Sequence, residues 1–181
     1  MKKLPKIISQ EEFEQLFSAV QKLEKKAGSK RRIRLREYRL AMLLGFEAGL
    51  RISEIVGLED RVPPLIPSKV EVSSIRVESG KGKKDRIVPR PKRFNENAKG
   101  MMPLKIQRRA LQHFITKLGK DVLDKDITFH TLRHGFATML LEKGFQLHEV
   151  QMFMGHSRLD TTGIYLHASP TRALDKYKEV F

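Results

Sequence analysis

The sequence predicts a mainly α-helical fold that contains a small antiparallel β-sheet. Apolar residues recur at helical spacing in the first third of the chain and again in its second half, which is typical of amphipathic helices. Between these regions, residues 70–78 and 87–89 have the composition of strands and flank a turn at Gly80-Lys81-Gly82. Because the strands do not alternate with the helices, a doubly wound parallel fold is excluded.

The first predicted helix begins at a capping box, in which Ser9 and Glu12 can each accept from the backbone amide of the other. An apolar stripe follows from Phe13, and Gly28 is expected to end the helix. Residues 25–36 are strongly basic, and two interpretations stay open for them. They form either a solvated loop that leads into a helix or a surface that contacts phosphate.

A second predicted helix, residues 38–48, is the most apolar of the chain. Gly49 can end it in the left-handed conformation, and Ser53 is expected to cap a short third helix that runs to Gly57. Arg51 therefore lies in a tight corner between two packed helices. An arginine held in such a corner is positioned before any ligand binds.

Three further helices are predicted after the sheet. Pro103 and Gly119 bound the first of them, as a proline at a helix start and a glycine at a helix end commonly do. Residues 128–143 form the second helix, and residues 147–154 form the third, which Gly155 ends.

The charge balance is the most unusual bulk property of the chain. Its 181 residues include 36 Lys and Arg against 21 Asp and Glu, a formal net charge of +15. Such an excess is typical of proteins that bind nucleic acid, although a merely basic soluble protein is the alternative. The absence of cysteine excludes disulfides, thiolate zinc sites and a catalytic thiol. No apolar run approaches the ~20 residues of a membrane helix, so no membrane partner is expected. The expected location is cytoplasmic, and nucleoid-associated if nucleic acid is the partner.

Residues able to carry phosphoryl-transfer chemistry come from distant parts of the sequence. Guanidinium groups stay charged and bond two oxygens at once, so a pair of them can replace the divalent metal of many nucleases. Lysine can protonate a leaving oxygen, imidazole can accept a proton, and a phenol can attack phosphorus. The alternative for Arg51 is structural salt bridging, since Glu47 and Glu54 flank it. The candidates are Arg51, Lys81, Lys83, Lys84, His130, Arg133, His134, His156 and Tyr165.

These motifs resemble the catalytic domain of the tyrosine recombinases, the phage-integrase and Xer-like family. The match runs from about Pro5 to Tyr165 and keeps the family's motif order. Its motifs are Gly49-Leu50-Arg51-Ile52-Ser53-Glu54-Ile55, Gly80-Lys81-Gly82, His130-Thr131-Leu132-Arg133-His134, Met154-Gly155-His156 and Tyr165. The resemblance implies that residues 1–181 are one catalytic domain of the tyrosine recombinase fold, without the amino-terminal core-binding domain that the family usually carries.

The resemblance also implies the catalytic roles. Tyr165 attacks DNA to give a 3′-phosphotyrosyl bond and a free 5′-hydroxyl, and Lys81 is the general acid, although Lys83 and Lys84 compete for that role. Tyr38 and Tyr177 lack the spacing to the histidines that Tyr165 has. The implied catalytic set is Arg51, Lys81, His130, Arg133, His156 and Tyr165.

No metal or other cofactor is expected. His130 and His134 have the spacing of a zinc-binding pair, but Thr131 stands where the metalloprotease pattern needs a glutamate. His134 is expected to support the site from behind, by packing or hydrogen bonding.

The implied partner is double-stranded DNA. The chain is expected to bind weakly as a monomer, to form a tetramer on DNA, and to work with an accessory DNA-binding domain or protein. Its tail, residues 168–181, is expected to dock on a neighbouring protomer or to pack on its own domain. The side chains expected to contact DNA outside the catalytic set are Lys83, Lys84, Arg86, Arg108 and Arg109.

Two other functions stay open. A type IB topoisomerase-like enzyme would share the chemistry but reseal its own strand. A non-catalytic DNA-binding module is the other alternative, because Arg51 lies in a corner like that of a helix-turn-helix regulator. This second alternative leaves His130, Arg133, His156 and Tyr165 without a role.

Overall fold

The structure is a computed structural model that describes residues 7–59, 61–78, 85–155 and 170–180, with the side chains of the last range described from residue 174 on. The prediction of a mainly helical fold with a small antiparallel sheet is confirmed. In chain order, the described elements are α1 (Gln10–Lys26), α2 (Ser29–Glu47), α3 (Ile52–Val56), a short 3-10 helix (Pro67–Lys69), β1 (Ser74–Val77), β2 (Arg86–Pro89), α4 (Glu96–Gly100), α5 (Arg108–Leu123), α6 (Phe129–Glu142), α7 (Leu147–Met154) and α8 (Pro170–Val180).

Helix α1 begins at the predicted capping box, in which Ser9 and Glu12 bind each other's backbone amides at 3.2 and 3.1 Å. Its apolar stripe packs on α2, where the ring of Phe13 stacks on that of Phe46 with centroids 4.1 Å apart. Helix α2 already begins at Ser29, so most of the basic stretch is helical rather than a loop. Lysine and arginine are good helix formers, which explains the longer helix.

The corner after α2 has the predicted glycine stop but a different cap on the next helix. Gly49 has a φ of +64°, and a Cβ there would lie 2.5 Å from the ring of Phe136, so both the turn and the approach of α6 require glycine. Arg51 is the N-cap of α3, and the carboxylate of Glu54 accepts its backbone N–H at 2.6 Å. The expectation that Ser53 caps α3 is therefore wrong.

Strands β1 and β2 form the antiparallel hairpin, with Ser74 opposite Pro89 and Val77 opposite Arg86. The strands are shorter than the stretch of strand-like composition. The turn that would carry Lys81 lies outside the described residues. Strand β2 packs against α7 and α8, so the sheet is joined directly to the carboxyl-terminal helices.

Helix α5 differs most from its predicted bounds. Residues 103–107 alternate between exposed and buried, which is the pattern of an extended segment, and the backbone N–H of Lys105 binds the carboxylate of Glu37 at 2.6 Å. The helix therefore begins at Arg108 rather than at Pro103. It also continues through Gly119 and ends at Leu123. Helices α6 and α7, in contrast, agree with the prediction to within one residue at each end.

The last helix packs on its own domain. Tyr177 is buried and donates to the carbonyl oxygen of Glu47 at 2.9 Å, and Lys176 donates to that of Gly144 at 2.7 Å. This is the second of the two arrangements expected for the tail, and docking on a neighbouring protomer stays a prediction. The buried apolar side chains of the described residues form one cluster, and none of the described helices is long and apolar enough to cross a membrane.

Candidate active site

Three arginines meet at the carboxyl end of α7. The carbonyl oxygens of residues 153–155 are consecutive acceptors: Arg86 donates to the first at 2.7 Å, Arg133 to the second, and Arg51 to the third at 3.4 Å. Carbonyls at a helix end lack partners within the helix and lie at the negative end of its dipole, which favours cations there. Since the arginines come from β2, α6 and the corner before α3, this helix end gathers distant segments at one point.

Glu54 supplies the counter-charge that these arginines share. Its carboxylate accepts two bonds from Arg86 and one from the side chain of Arg51, all at 2.8 Å, and lies 4.0 Å from Arg133. Burial alone would raise the pKa of Glu54, but the bonds and charges of its partners outweigh burial and lower the pKa to about 2. Glu47, the other acid considered for Arg51, pairs with a different arginine. Three guanidiniums around one carboxylate leave a positive site suited to phosphate.

The two arginines predicted to be catalytic differ in exposure. The side chain of Arg51 is 30% exposed, whereas that of Arg133 is 3% exposed and also donates to the carbonyl oxygen of Gly49. Burial, followed by the charges of Arg51 and Arg86, lowers the pKa of Arg133 to about 9, so Arg133 still carries its charge at neutral pH. Its guanidinium has five N–H donors, and the two carbonyl bonds leave others for a phosphate oxygen.

His130 lies on the first turn of α6, one turn before Arg133. Burial lowers the pKa of His130, and the charges of His134, Arg133 and Arg51 lower it further. The two imidazole rings meet edge to face, with centroids 4.9 Å apart. A neutral imidazole beside two guanidiniums is able to accept a proton. Among the described residues, no group of three or more His, Cys, Asp and Glu side chains could hold a metal ion.

Arg86 was expected to contact DNA, but the structure buries it. Its side chain is 6% exposed and is held by Glu54 and by the carbonyl oxygen of Phe153. The expected surface position is therefore corrected to one inside the site. One sequence signal could have indicated this burial. Side chains along a strand point alternately to its two faces, so Arg86 faces the same side as the apolar Val88.

Arg108 and Arg109 are exposed on the first turn of α5, as a DNA-contacting surface requires. Beside them, a groove of about 570 Å³ separates α5 from α2. Its walls carry the basic side chains of Lys30, Arg31, Arg34, His113 and Lys117, and its apolar lining includes Leu35, Tyr38 and Phe114. We call this feature the basic groove.

The remaining predicted site residues cannot be placed on this geometry. Lys81, Lys83, Lys84, His156 and Tyr165 lie outside the described residues, and their roles stay predictions. Burial raises the pKa of both other tyrosines, Tyr38 and Tyr177, and makes them poor nucleophiles.

A family model described as the phage integrase family matches residues 6–172. The chain belongs to the phage integrase family. The tyrosine recombinase XerD of Halalkalibacterium halodurans is 33% identical to it over a match that covers 97% of this chain and 62% of that protein. The tyrosine recombinase XerA of Thermococcus kodakarensis is 31% identical, with 90% and 58% covered. The resemblance to tyrosine recombinases is thus confirmed, and the chain spans roughly three fifths of the length of these relatives.

Solved structures of this family share the fold. The integrase from mycobacterium phage Brujita superposes with a TM-score of 0.70 at 21% identity, covering 100% of this chain and 60% of that one. A XerH site-specific recombinase bound to difH substrate, in a pre-cleavage complex, gives a TM-score of 0.58 at 26% identity, covering 96% and 54%. The predicted tyrosine recombinase catalytic-domain fold is therefore confirmed.

Proposed function

We propose that this chain acts as the catalytic domain of a site-specific DNA recombinase, an enzyme that cuts and rejoins DNA without a metal. The observation that carries this proposal is the meeting of Arg51 and Arg133 at the end of α7, close enough to His130 for their charges to lower the pKa of its imidazole. Such a site offers positive charge for a phosphate and a base for the proton of a nucleophile. Membership of the phage integrase family supports the same function.

In the proposed reaction, the phenolic oxygen of Tyr165 attacks the phosphorus and loses its proton to His130. Arg51 and Arg133 bind the non-bridging oxygens, where negative charge gathers in the transition state. The bond to the 5′-oxygen breaks, and a lysine of the β1–β2 turn protonates that oxygen, with Lys81 as the first candidate. The 3′-phosphotyrosyl bond retains the energy of the broken bond, so a 5′-hydroxyl from another strand can reverse the attack. His156 is proposed to bind the same phosphate.

The proposed partner is double-stranded DNA, bound along a basic surface next to the site. Lys30, Arg31 and Arg34 of the basic groove and Arg108 and Arg109 form no ion pair with another described residue, so their charges are available to phosphates. Lys83 and Lys84 are proposed to add further contacts. We further propose that four copies of the chain assemble on two duplexes and that an additional DNA-binding domain or protein assists them. The proposed place of action is the nucleoid.

The test of this function does not need a known target sequence. A randomised pool of nicked duplexes, in which the released strand diffuses away, traps the covalent intermediate of any sequence that is cut. We expect a protein–DNA adduct that survives denaturation and is absent with Tyr165→Phe. An adduct that persists in Tyr165→Phe would exclude Tyr165 as the nucleophile. If the wild-type chain forms no adduct, the function that remains is that of a non-catalytic DNA-binding module. Relaxation of supercoiled plasmid lacking the selected sequence would favour a topoisomerase-like enzyme.

A further inference from the structure

Arg86 is the one arginine of the cluster to which the proposed chemistry gives no role. Both terminal nitrogens bind the carboxylate oxygens of Glu54 at 2.8 Å, and Nε donates to the carbonyl oxygen of Phe153 at 2.7 Å. Every nitrogen of the guanidinium therefore has a partner within the protein. The side chain is too deeply buried, at 6% exposure, to be a surface contact.

The partners of Arg86 connect it to both arginines proposed to bind the phosphate. On one side, Oε1 of Glu54 accepts from Arg86 and from Arg51 at the same distance, 2.8 Å. On the other side, the carbonyl that Arg86 binds immediately precedes the one that accepts from Arg133. The side chain of Arg86 thus connects α3 to the end of α7. Through these two elements it also connects the guanidinium groups of Arg51 and Arg133.

Gly155 makes this arrangement possible. Its φ is +59°, and a Cβ at this position would lie 2.7 Å from Cδ of Arg86 and 3.1 Å from Nε. Room for the arginine stem therefore exists because residue 155 has no side chain.

We propose that Arg86 is a positioning residue, which holds Arg51 and Arg133 on the scissile phosphate through Glu54 and the end of α7. The proposal rests on the proposed function, because it presupposes attack on a phosphodiester. Arg86→Lys keeps the positive charge but replaces the planar fork with a single nitrogen. That nitrogen cannot bind both oxygens of Glu54 and the carbonyl of Phe153 in the same geometry.

The test measures single-turnover adduct formation by Arg86→Lys on a nicked duplex selected from the randomised pool. The same duplex is also made with a methylphosphonate at the cut position, which lacks the charge of the non-bridging oxygens and depends less on guanidiniums. On the phosphodiester, we expect the variant to be slower than wild type by about 10- to 100-fold. On the methylphosphonate, we expect most of that deficit to vanish, and duplex affinity should not change on either substrate.

Arg90 provides a matched control. It directly follows β2, and its side chain is 11% exposed. Like Arg86 it binds a carboxylate, that of Glu96 at 2.8 Å, and it also binds the backbone carbonyls of Phe94 at 2.8 Å and of Glu71 at 3.0 Å. None of its hydrogen-bond partners belongs to the site. We expect Arg90→Lys to form the adduct at the wild-type rate on both substrates.

Each contrary outcome has a distinct meaning. A wild-type rate in Arg86→Lys, or the same slowing on both substrates, overturns the positioning role and leaves the proposed function intact. A weaker salt dependence of binding would make Arg86 a phosphate contact instead. If Arg86→Lys does not fold, Arg86→Gln replaces it, and if neither folds while Arg90→Lys does, Arg86 serves folding alone and the proposal is overturned. A wild-type chain that forms no adduct overturns the proposed function itself.

Discussion

Glu54 is the residue on which the electrostatics of the site depend. Burying a carboxylate is costly unless it is paired, and here several charged hydrogen bonds reach one carboxylate that is 7% exposed. Removing the negative charge would leave Arg86 and Arg133 buried without compensation, a change that typically costs roughly 3–5 kcal/mol. The sequence shows Glu54 as one possible partner of Arg51, and the structure makes it the partner of three arginines.

The pH dependence of folding should report on Glu54. The pKa of this group is about 2 in the folded protein and 4.5 as its ordinary value, so its ionised form stabilises the fold above pH 4.5. That stabilisation, on the order of 3 kcal/mol, is lost as the pH falls from 4.5 towards 2. We expect denaturant titrations to show the loss in wild type and its absence in Glu54→Gln. Glu142→Gln, at an exposed carboxylate at the end of α6, is the control. Parallel curves for Glu54→Gln and wild type would contradict the expectation.

The pH dependence of cleavage should report on His130. Its neutral form is the proposed base, and its pKa lies below 6.5, so adduct formation should slow only when the pH falls below 6.5. The charge of His134 is one cause of the lowered pKa of His130. His134→Gln should therefore raise that pKa and move the acidic limb of the pH–rate profile, where the rate falls with falling pH, to higher pH. The limb should disappear in His130→Gln, with a rate lower by roughly 10²- to 10⁴-fold. A limb that persists in His130→Gln would assign the titration to another group.

At the scale of elements, the first turns of α2 and α5 contain basic residues and no acidic ones. Cations near a helix amino terminus oppose the helix dipole, so this placement costs stability unless an anion is bound. In the part of the chain that the structure describes, Arg32 binds the carbonyl oxygen of Ala27 and Arg39 pairs with Glu24. Arg31 and Arg34 have no such partner and line the basic groove.

Neutralising the basic groove should therefore weaken DNA binding in a salt-dependent way. Each lost phosphate contact reduces the slope of log affinity against log salt by about 0.9, so Arg31→Gln with Arg34→Gln should reduce it by up to about 1.8. Fluorescence anisotropy on an intact duplex measures the slope. The control is the double variant Lys99→Gln with Lys178→Gln, which removes the same number of positive charges from lysines already paired with acidic residues. We expect the salt-dependence slope of this control to equal that of wild type. Equal slopes for the two double variants would exclude the groove from the DNA surface.

At the scale of the whole molecule, a net charge of +15 opposes association of free copies, and a nucleic acid can offset that repulsion. We expect sedimentation of the free chain as a monomer of 20.9 kDa. On a synthetic four-way DNA junction, we expect four copies per junction. A stable dimer or tetramer without DNA would show that protein contacts alone drive assembly.

Elements with strong local signals could be predicted from the sequence, and contacts between distant segments could not. The capping box at Ser9, the stop at Gly49 and the bounds of α7 depend on residues next to one another in the chain. The start of α5 was missed because contacts with α2 hold residues 103–107 extended despite the helix-start signal of Pro103.

The same distinction applies to the site. The family motifs identified Arg51, His130 and Arg133. The structure brings the two arginines together at the end of α7, where their charges act on His130. The burial of Arg86 was missed, because a basic residue after a lysine-rich turn looks like a surface residue until the strand has paired. Its partners, Glu54 and Phe153, are 32 and 67 positions away in the sequence.

The acceptors at the end of α7 are main-chain carbonyl oxygens, which remain present whatever side chain is substituted. A comprehensive mutational scan would therefore score Phe153 and Met154 as ordinary packing positions, tolerant of other large apolar side chains. Gly155 alone would stand out as intolerant, since any replacement there displaces the neighbouring arginine. If the proposed recombinase activity is to be redirected to new target sequences, Gly155 should stay unchanged, and substitutions should be made in the basic groove between α2 and α5 instead.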